Sequence, residues 1–167
     1  MTAAEPGGTA RSVAVIDIDG VVADVRHRLR HVDGRPKDWD AFFAAAVDDP
    51  PLEPGITRVQ ELSREHDLVF LTGRPERCRS DTVAWLTAHG LGGWPVRMRR
   101  EGDRRPARAT KVSELDRLSR SAVVALVVDD DPAVCAALRA AGYQVEQADW
   151  MTRPAALDEA QERDGRT

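Results

Sequence analysis

The amino-acid sequence predicts an α/β protein in which a mainly parallel sheet lies between two layers of helices. Two observations predict this three-layer α/β/α class. Apolar runs of strand length alternate with stretches of helical spacing, and the run VVALVV (123–128) is apolar throughout, as expected of a strand buried on both faces. This alternation implies right-handed crossovers between parallel strands. With 167 residues, of which 42% are hydrophobic, the chain can form one globular domain without disulfides.

The predicted elements follow one another in a regular order. Five strands are predicted, at VAVID (13–17), LVFLT (68–72), PVRM (95–98), VVALVVD (123–129) and YQVEQ (143–147). Four helices are predicted between them, over residues 54–66, 76–90, 111–120 and 132–142. In the first helix Ile56, Val59 and Leu62 fall on one face, which makes it amphipathic. Gly90 has the place of a helix C-cap, and Pro132 suits the first turn of the last helix.

Residues 20–53 interrupt this alternation. They contain RHRLRHV, a turn at VDGRP and the stretch KDWDAFFAAAVDDPP. An excursion of this length after a first strand predicts a small helical cap. Trp39 and Phe43 lie four residues apart in it. They either stack on a nucleic-acid base or pack the cap onto the core.

Composition and charge limit the classes of function. The net charge of −4 disfavours a protein that coats nucleic acid through bulk charge. No apolar run reaches membrane-spanning length, and MTAAEPGGTA lacks the apolar segment of a signal peptide. Cys78 and Cys135 show no metal-binding spacing, so we expect a reduced, cytoplasmic compartment and no membrane contact. We expect a loose tail over residues 1–11, the domain over 12–150, and a C-terminal helix that frays over 151–167.

Two aspartates follow the first predicted strand. Asp17 and Asp19 are two residues apart, so in an extended chain their side chains point to the same side. In an open parallel sheet, ligands bind at the carboxyl ends of the strands, where both carboxylates lie. Gly20 then allows a sharp turn. Two close carboxylates repel unless a cation neutralises them, and oxygen ligands suit Mg²⁺. A pair of loop-capping aspartates is the alternative.

Polar residues also follow the second strand and open the third helix. In LTGRPERC, Thr72 ends the strand and Gly73 lets a ligand approach the backbone. A hydroxyl and amides at such a turn hold phosphate, and Arg74 adds a charge-assisted contact. Lys111 is predicted to be the first residue of a helix whose N-cap is Thr110. A cation is mildly unfavourable at a helix N-terminus, and such locally unfavourable residues are typical of functional sites. The alternatives are an ordinary strand-to-helix turn and a solvated lysine.

Three consecutive aspartates follow the fourth strand, in VVALVVDDDPAVC. Asp131, which precedes Pro132, is the predicted N-cap of the next helix. Asp129 and Asp130 then remain at the strand end, to bind a metal or to orient a cationic side chain. A purely structural interpretation is strained, because capping requires one carboxylate and three adjacent carboxylates repel without a cation.

The order of these groups along the chain is more specific than any one of them. An Asp-x-Asp pair on the first strand, a threonine ending the second, a lysine, and an Asp-Asp pair after a later strand resemble the haloacid dehalogenase (HAD) superfamily of phosphohydrolases. The resemblance spans residues 13–147 and implies a Rossmann-like core. Longer stretches are similar to the 3′-phosphatase domain of bacteriophage-type polynucleotide kinase-phosphatases. They are DIDGVVADVRHRLRHV, KDWDAFFAAAVDDPPLEPGI, LTGRPERCRSDTVAWLTAHG, VRMRREGDRRPARATK and VVDDDPAV.

The resemblance implies a role for each group of the ordered set. Asp17 is the expected nucleophile, which forms an aspartyl-phosphate. Asp19 is the expected acid that protonates the leaving oxygen and later the base that activates water. Thr72 and Lys111 are expected to hold and neutralise the phosphoryl oxygens.

The resemblance also implies a metal site and two functional arginines. Mg²⁺ is expected to contact Asp17, the main-chain carbonyl of Asp19, the phosphate, and one aspartate of the 129–130 pair. Arg28 and Arg74 fall where phosphatase domains of this type carry functionally important arginines. Either can stabilise charge on the transferred group, so we expect both to bind substrate.

Two positions depart from the family pattern, and one basic segment accompanies it. Relatives often carry an aspartate four residues before the lysine, where this chain has Ala107, and Val21 stands where the superfamily often has threonine. Seven cations lie within residues 97–111 and either steer a polyanion or form a solvated loop. No Gly-x-x-x-x-Gly-Lys-Ser/Thr loop occurs, so we expect no kinase activity.

The resemblance therefore implies a Mg²⁺-dependent phosphomonoesterase that acts on a nucleic-acid 3′-phosphate end or on a nucleotide. Two alternatives stay open: a small-molecule phosphatase of a biosynthetic pathway, and a phosphate- or nucleic-acid-binding module without catalysis. The complete set of carboxylates, threonine and lysine favours an enzyme, because binding alone does not require an acid beside a nucleophile. The sequence does not indicate the oligomeric state.

Overall fold

A computed structural model describes residues 10–166. Within them, five strands form one sheet in the order β3-β2-β1-β4-β5, and each neighbouring pair is parallel. The strands are β1 (Val13–Ile16), β2 (Asp67–Pro75), β3 (Val96–Arg99), β4 (Val124–Asp129) and β5 (Val145–Gln147). The predicted parallel sheet is confirmed. Of the predicted N-terminal tail, residues 1–9 lie outside the described residues, as does Thr167.

Helices cover both faces of this sheet. They are α1 (Trp39–Ala44), α2 (Glu53–Glu65), α3 (Arg79–Ala88), α4 (Ala107–Leu118), α5 (Pro132–Ala140) and α6 (Ala155–Asp158). Apolar residues of α2 and α3 pack with Ala14 and Ile16 of β1, whereas those of α4 and α5 pack with Val13 and Val15. Successive residues of β1 thus face opposite layers, which confirms the three-layer α/β/α fold. None of these helices is long and apolar enough to cross a membrane.

The strand order places the ends of β1 and β4 side by side. The chain runs outward from β1 to β2 and β3, and then returns across the sheet to β4 and β5. In open α/β sheets, ligands bind outside the carboxyl ends of the strands where this order reverses. The amide of Asp17 donates a hydrogen bond to the carbonyl of Val128 at 2.9 Å. The residues that follow β1 are therefore held beside the end of β4.

Residues 20–53 include the predicted helical cap. Its elements are a 3-10 turn at Arg26–His31, α1, and a second 3-10 turn at Ala45–Asp48. Phe42 and Phe43 are buried in an apolar cluster that also contains Met98 and Met151. Phe43 therefore packs the cap onto the core, which was one of its two predicted roles. Met151 brings the C-terminal segment into the same cluster.

β2 is longer than predicted. It continues to Pro75, which pairs with Arg99 of β3, rather than ending at Thr72. A 3-10 turn at Glu76–Cys78 separates it from α3. The three residues Thr72, Gly73 and Arg74 consequently lie in the C-terminal part of β2 and not in a strand-to-helix turn.

The prediction that Thr110 caps a helix opened by Lys111 is wrong. α4 begins at Ala107, with Pro106 at its N-cap position, so Lys111 lies in the second turn. The run Ala107–Ala109 has high helix propensity, which extends the helix toward its N-terminus. The Thr110 hydroxyl donates to the carbonyl of Pro106 at 3.3 Å instead of capping an amide. In contrast, Asp131 caps α5 as predicted, because its side chain accepts from the amides of the first turn.

Candidate active site

Three aspartates of the predicted site lie together at the carboxyl edge of the sheet. Asp17 follows β1, and Asp129 and Asp130 lie at the end of the neighbouring strand β4. All three are buried, with at most 3% of the residue exposed. One carboxylate oxygen from each lies within 4.8 Å of the others. These three residues are called the aspartate cluster below.

Lys111 reaches the aspartate cluster from α4. Its Nζ lies 2.6 Å from Asp129 Oδ2 and 3.0 Å from Asp17 Oδ2. Burial raises the pKa of Asp17, and the charge of Lys111 offsets only part of that rise. Burial alone would lower the pKa of Lys111, but Asp129 and Asp17 outweigh it and leave that pKa above its ordinary value. Lys111 is therefore a permanent cation inside the site.

Asp19 contacts a different pair of cations. Its Oδ1 accepts hydrogen bonds from Arg28 Nη2 at 2.9 Å, from Arg74 Nε at 2.9 Å and from Arg74 Nη2 at 2.5 Å. All three side chains are buried. Burial would raise the pKa of Asp19, but the charges of Arg28 and Arg74 outweigh burial and hold the pKa below its ordinary value. The two predicted substrate-binding arginines thus contact the predicted acid-base residue.

Asp49 is a buried carboxylate that was not among the predicted site residues, although it lies in the stretch KDWDAFFAAAVDDPPLEPGI. Arg28 donates to both of its oxygens, from Nε to Oδ1 at 2.9 Å and from Nη2 to Oδ2 at 3.0 Å, and Arg74 Nη2 donates to Oδ2 at 2.8 Å. His27 Nε2 lies 2.8 Å from Oδ1. The sequence offers no signal that separates Asp49 from its neighbour Asp48, which is exposed.

Arg153 is a second residue of the site that the sequence analysis did not identify, and it pairs with Asp130. Its Nη1 donates to Asp130 Oδ2, while Asp158 Oδ1 and Gln161 Oε1 accept from its Nη2 at 2.5 and 2.7 Å. Burial raises the pKa of Asp130 to about 7, although Arg153 opposes this rise. Gly20 leaves room for the carboxylate, because a Cβ at position 20 would lie 2.0 Å from Asp130 Oδ2.

Thr72 and Gly73 lie in β2, the strand beside β1, and both are buried. Thr72 Oγ1 accepts a hydrogen bond from the amide of Arg74 at 3.2 Å. The carbonyl of Gly73 accepts one from Arg99 Nε at 3.2 Å. These contacts connect Thr72 to the site through Arg74 and fix the backbone at the end of β2.

Most cations of the basic segment 97–111 already have partners. Arg99 is buried and donates to backbone carbonyls, including that of Arg105 at 2.8 Å. Other pairs are Arg97 with Glu114, Arg105 with Asp103, and Arg108 with Glu162. Arg100 and Arg104 are exposed and belong to none of these pairs. Ala107, where relatives often have aspartate, is buried in the apolar layer beneath α4.

The aspartate cluster fits a hard divalent cation. It supplies three carboxylates, and Asp130 Oδ1 is buried with no hydrogen-bond partner among the described residues. A buried polar atom without a partner carries an unfavourable desolvation free energy, which a bound cation would offset. Carboxylate oxygens are the ligands that Mg²⁺ prefers.

The fold is a three-layer α/β/α sandwich with a parallel sheet. Together with this arrangement of Asp-x-Asp, lysine and Asp-Asp groups, it defines a phosphohydrolase of the HAD superfamily. The family described as the polynucleotide kinase PNKP phosphatase domain matches residues 11–150. Because this match covers more than half of the chain, the protein belongs to that family and is a phosphatase.

Solved structures of other proteins share the fold. A chain of the Pnkp1/Rnl/Hen1 RNA repair complex superposes with a TM-score of 0.67 and 19% identity, over 87% of this chain and 45% of that one. A class C acid phosphatase from Bacillus anthracis gives 0.61 and 14%, over 92% and 78%. A haloacid dehalogenase-like hydrolase from Streptococcus pneumoniae gives 0.61 and 13%, over 93% of each chain. The chain thus spans less than half of the repair-complex chain, and no curated protein matches it in sequence.

Arg153 lies beyond the family match, and its removal tests whether the C-terminal segment belongs to the site. We expect Arg153→Ala to lower the free energy of unfolding by about 3–5 kcal/mol, because Asp130 stays buried without its cation. Urea denaturation of metal-free protein at pH 8, above the pKa of about 7 that Asp130 has beside Arg153, measures this loss. Adding Asp130→Asn should recover part of it, since the unpaired charge is then absent.

The matched control for this experiment is Arg163→Ala. The Arg163 side chain is 72% exposed and pairs with Glu159 on the same helical turn. Its loss should change the free energy of unfolding by less than about 0.5 kcal/mol. Equal effects of the two substitutions would show that Arg153 does not neutralise a buried group.

Proposed function

We propose that this phosphatase is a Mg²⁺-dependent phosphomonoesterase that forms an aspartyl-phosphate on Asp17. The observation that carries the proposal is the contact of Lys111 with both Asp17 and Asp129, beside the buried unpaired oxygen of Asp130. A carboxylate nucleophile then lies next to a permanent cation and next to oxygens suited to a divalent cation. Membership in a phosphatase family supports phosphoryl chemistry at this position.

In the proposed first step, a carboxylate oxygen of Asp17 attacks phosphorus, and the bond from phosphorus to the leaving oxygen breaks. Asp19 donates a proton to the leaving oxygen, so that the product departs as an alcohol. Lys111 and Thr72 hold the phosphoryl oxygens and offset the charge that develops on them.

In the proposed second step, water attacks the phosphorus of the aspartyl-phosphate. Asp19 takes a proton from that water, the bond from phosphorus to Asp17 breaks, and inorganic phosphate leaves. The lowered pKa of Asp19 favours the carboxylate that this step needs. The first step needs a protonated Asp19. We therefore expect Arg28 and Arg74 to turn from Asp19 toward the phosphoryl group when substrate binds, where the fixed backbone of Gly73 also contacts it.

The proposed ligands of Mg²⁺ are Asp17, Asp130 and the main-chain carbonyl of Asp19. Asp129 is assigned to Lys111, because its Oδ2 lies 2.6 Å from Lys111 Nζ and its Oδ1 accepts from the amide of Asp131 at 3.0 Å. When bound, the cation neutralises charge on the phosphate and on the nucleophile.

The proposed substrate is a nucleic-acid 3′-phosphate end or a nucleotide. The family, whose description names a polynucleotide kinase, supports this class, and the exposed Arg100 and Arg104 follow β3 at the carboxyl edge of the sheet. A small phosphate ester of a biosynthetic pathway is the second candidate. The burial of the aspartate cluster favours it, because a small ester enters a closed site more easily than a polymer does.

Asp17→Asn keeps the shape of the side chain and removes the nucleophile. With Mg²⁺ present, we expect kcat/KM for p-nitrophenyl phosphate to fall by at least about 10³-fold. The wild-type protein should lose its activity when EDTA removes the cation. Asp33→Asn, at an exposed position of the cap, should leave kcat/KM unchanged. Turnover that survives Asp17→Asn would contradict the nucleophile assignment, and a wild-type protein that binds phosphate without turnover would be the non-catalytic module.

A substrate comparison separates the two classes of ester. If a polymer end is the substrate, kcat/KM for a 3′-phosphorylated oligonucleotide should exceed that for 3′- and 5′-mononucleotides. The variant Arg100→Ala/Arg104→Ala should then lower the oligonucleotide value several-fold and flatten its salt dependence, because two phosphate contacts are lost. Arg99 is unsuitable for this test because it is buried.

The matched control for the substrate comparison is Arg120→Ala. Arg120 is exposed and follows α4 at its far end from the site. It should affect neither substrate. A preference for mononucleotides that the double variant does not change would identify the small-ester class instead.

A further inference from the structure

Trp39 lies at the surface of the cap, unlike the two phenylalanines that follow it in α1. Phe42 and Phe43 are buried, whereas Trp39 is half-buried and lines a surface groove of about 390 Å³. Lys37 and Arg166 line the same groove. The sequence left two roles open to Trp39, and an indole on the wall of a groove has the surroundings that stacking on a base requires.

A short series of contacts joins this groove to the Asp19 carboxylate. The rings of Trp39 and Phe42 meet edge to face, with their centroids 5.8 Å apart. Arg28 Cζ lies 4.4 Å from the centroid of Phe42, and Arg28 Nη2 donates to Asp19 Oδ1 at 2.9 Å. One phenyl ring and one guanidinium group thus separate the groove from the carboxylate, a separation that a single nucleoside can span.

The C-terminal segment, which lies beyond the family match to residues 11–150, supplies Arg166. Lys37 of the cap donates to Asp164 Oδ2 at 2.5 Å and so anchors this segment beside Trp39. Arg166 Cζ lies 5.2 Å from the centroid of the Trp39 ring, over its face. A planar guanidinium group thus occupies the place that a stacked base would take.

Two arginines at this groove form no ion pair among the described residues: Arg166 and the exposed Arg104 of the basic segment. The backbone brings them together, because a Cβ at position 165 would lie 2.2 Å from the carbonyl oxygen of Arg104. Burial and the charges of Arg104 and Arg77 lower the pKa of Arg166, and Asp164 opposes them only in part. An anionic group bound between the two arginines would relieve this repulsion.

We propose that this groove binds the nucleoside that carries the 3′-phosphate, with its base stacked on Trp39 and its 5′-phosphate held by Arg104 and Arg166. The inference rests on the proposed function, which places the 3′-phosphate at Asp17. When the base stacks on the indole, the Arg166 guanidinium moves from the ring to the 5′-phosphate. Because every base has a π-face, the groove selects nucleotide ends over other phosphate esters without selecting a sequence.

The first test removes the base from the substrate and the indole from the protein. Thymidine 3′-phosphate and 1,2-dideoxyribose 3-phosphate share the same leaving oxygen and differ only in the base. In wild-type protein, kcat/KM should be about tenfold higher for the thymidine ester, because one base then stacks on an aromatic side chain. Trp39→Leu keeps an apolar side chain against Phe42 and Phe43, and it should lower the thymidine value to that of the abasic ester. Trp39→Phe should retain most of the preference.

The matched control is Trp94→Leu. Trp94 is also half-buried, but it precedes β3 at the amino edge of the sheet, away from the site. This variant should keep the full preference for the thymidine ester. Equal values for the two esters in wild-type protein, or an equal loss on both in folded Trp39→Leu, would overturn stacking on Trp39.

The second test adds the 5′-phosphate. In wild-type protein, kcat/KM for thymidine 3′,5′-bisphosphate should exceed that for thymidine 3′-phosphate several-fold at low salt, and added salt should reduce the difference. Arg166→Ala should remove most of it. Arg163→Ala, at a position that is 72% exposed on the same segment, should not. A 5′-phosphate that brings no gain in wild-type protein would contradict the assignment of Arg104 and Arg166.

The two proposals fail in different ways in these experiments. If wild-type protein hydrolyses none of these esters, or if Asp17→Asn retains turnover, the proposed function fails. If wild-type protein hydrolyses them through Asp17 but gains nothing from the base or from the 5′-phosphate, only the nucleotide groove fails. Should Trp39→Leu not fold by circular dichroism, the wild-type comparison and Arg166→Ala decide the question.

Discussion

The burial of carboxylates at one edge of the sheet is the constraint on which this site depends. Among the described residues, six aspartates at most 3% exposed converge there: Asp17, Asp19, Asp49, Asp129, Asp130 and Asp131. Four cationic side chains oppose them: Arg28, Arg74, Lys111 and Arg153. The arginines at 28 and 74 balance two of the aspartates, whereas the other four share two cations. Because an unneutralised buried carboxylate is strongly unfavourable, this second group must take up protons or a cation.

This uneven distribution of cations shifts the pKa values of the two carboxylates of the Asp-x-Asp pair in opposite directions. Burial raises the pKa of Asp17, which shares Lys111 with Asp129. Burial acts on Asp19 as well, but Arg28 and Arg74 outweigh it and lower its pKa. Neighbouring carboxylates with divergent pKa values are typical of sites that divide chemical roles between them. On the proposed mechanism, Asp17 becomes an effective nucleophile when a divalent cation replaces its proton.

Local sequence pattern predicted the framework, because the features that determine it are local. Strand-length apolar runs identified the parallel sheet, and the two-residue spacing placed Asp17 and Asp19 at its edge. The pattern did not reveal Asp49 or Arg153, since each meets its partner only after a cap or a C-terminal segment folds over the site. The position of Lys111 in the second turn of α4 was missed for a different reason. Residues 107–109 favour a helix, so α4 begins at Ala107, before the expected capping residue Thr110.

The most direct test of this account is a calorimetric titration of the metal-free protein with Mg²⁺ at pH 7, in two buffers that differ in ionisation enthalpy. The carboxylates around Asp17 and Asp130 outnumber the cationic side chains, which predicts that one cation binds per chain. Protons should be released on binding, because the pKa of Asp17 is raised and that of Asp130 is about 7. The absence of saturable binding, or binding with no transfer of protons to the buffer, would contradict the claim that the buried carboxylates are arranged for a divalent cation.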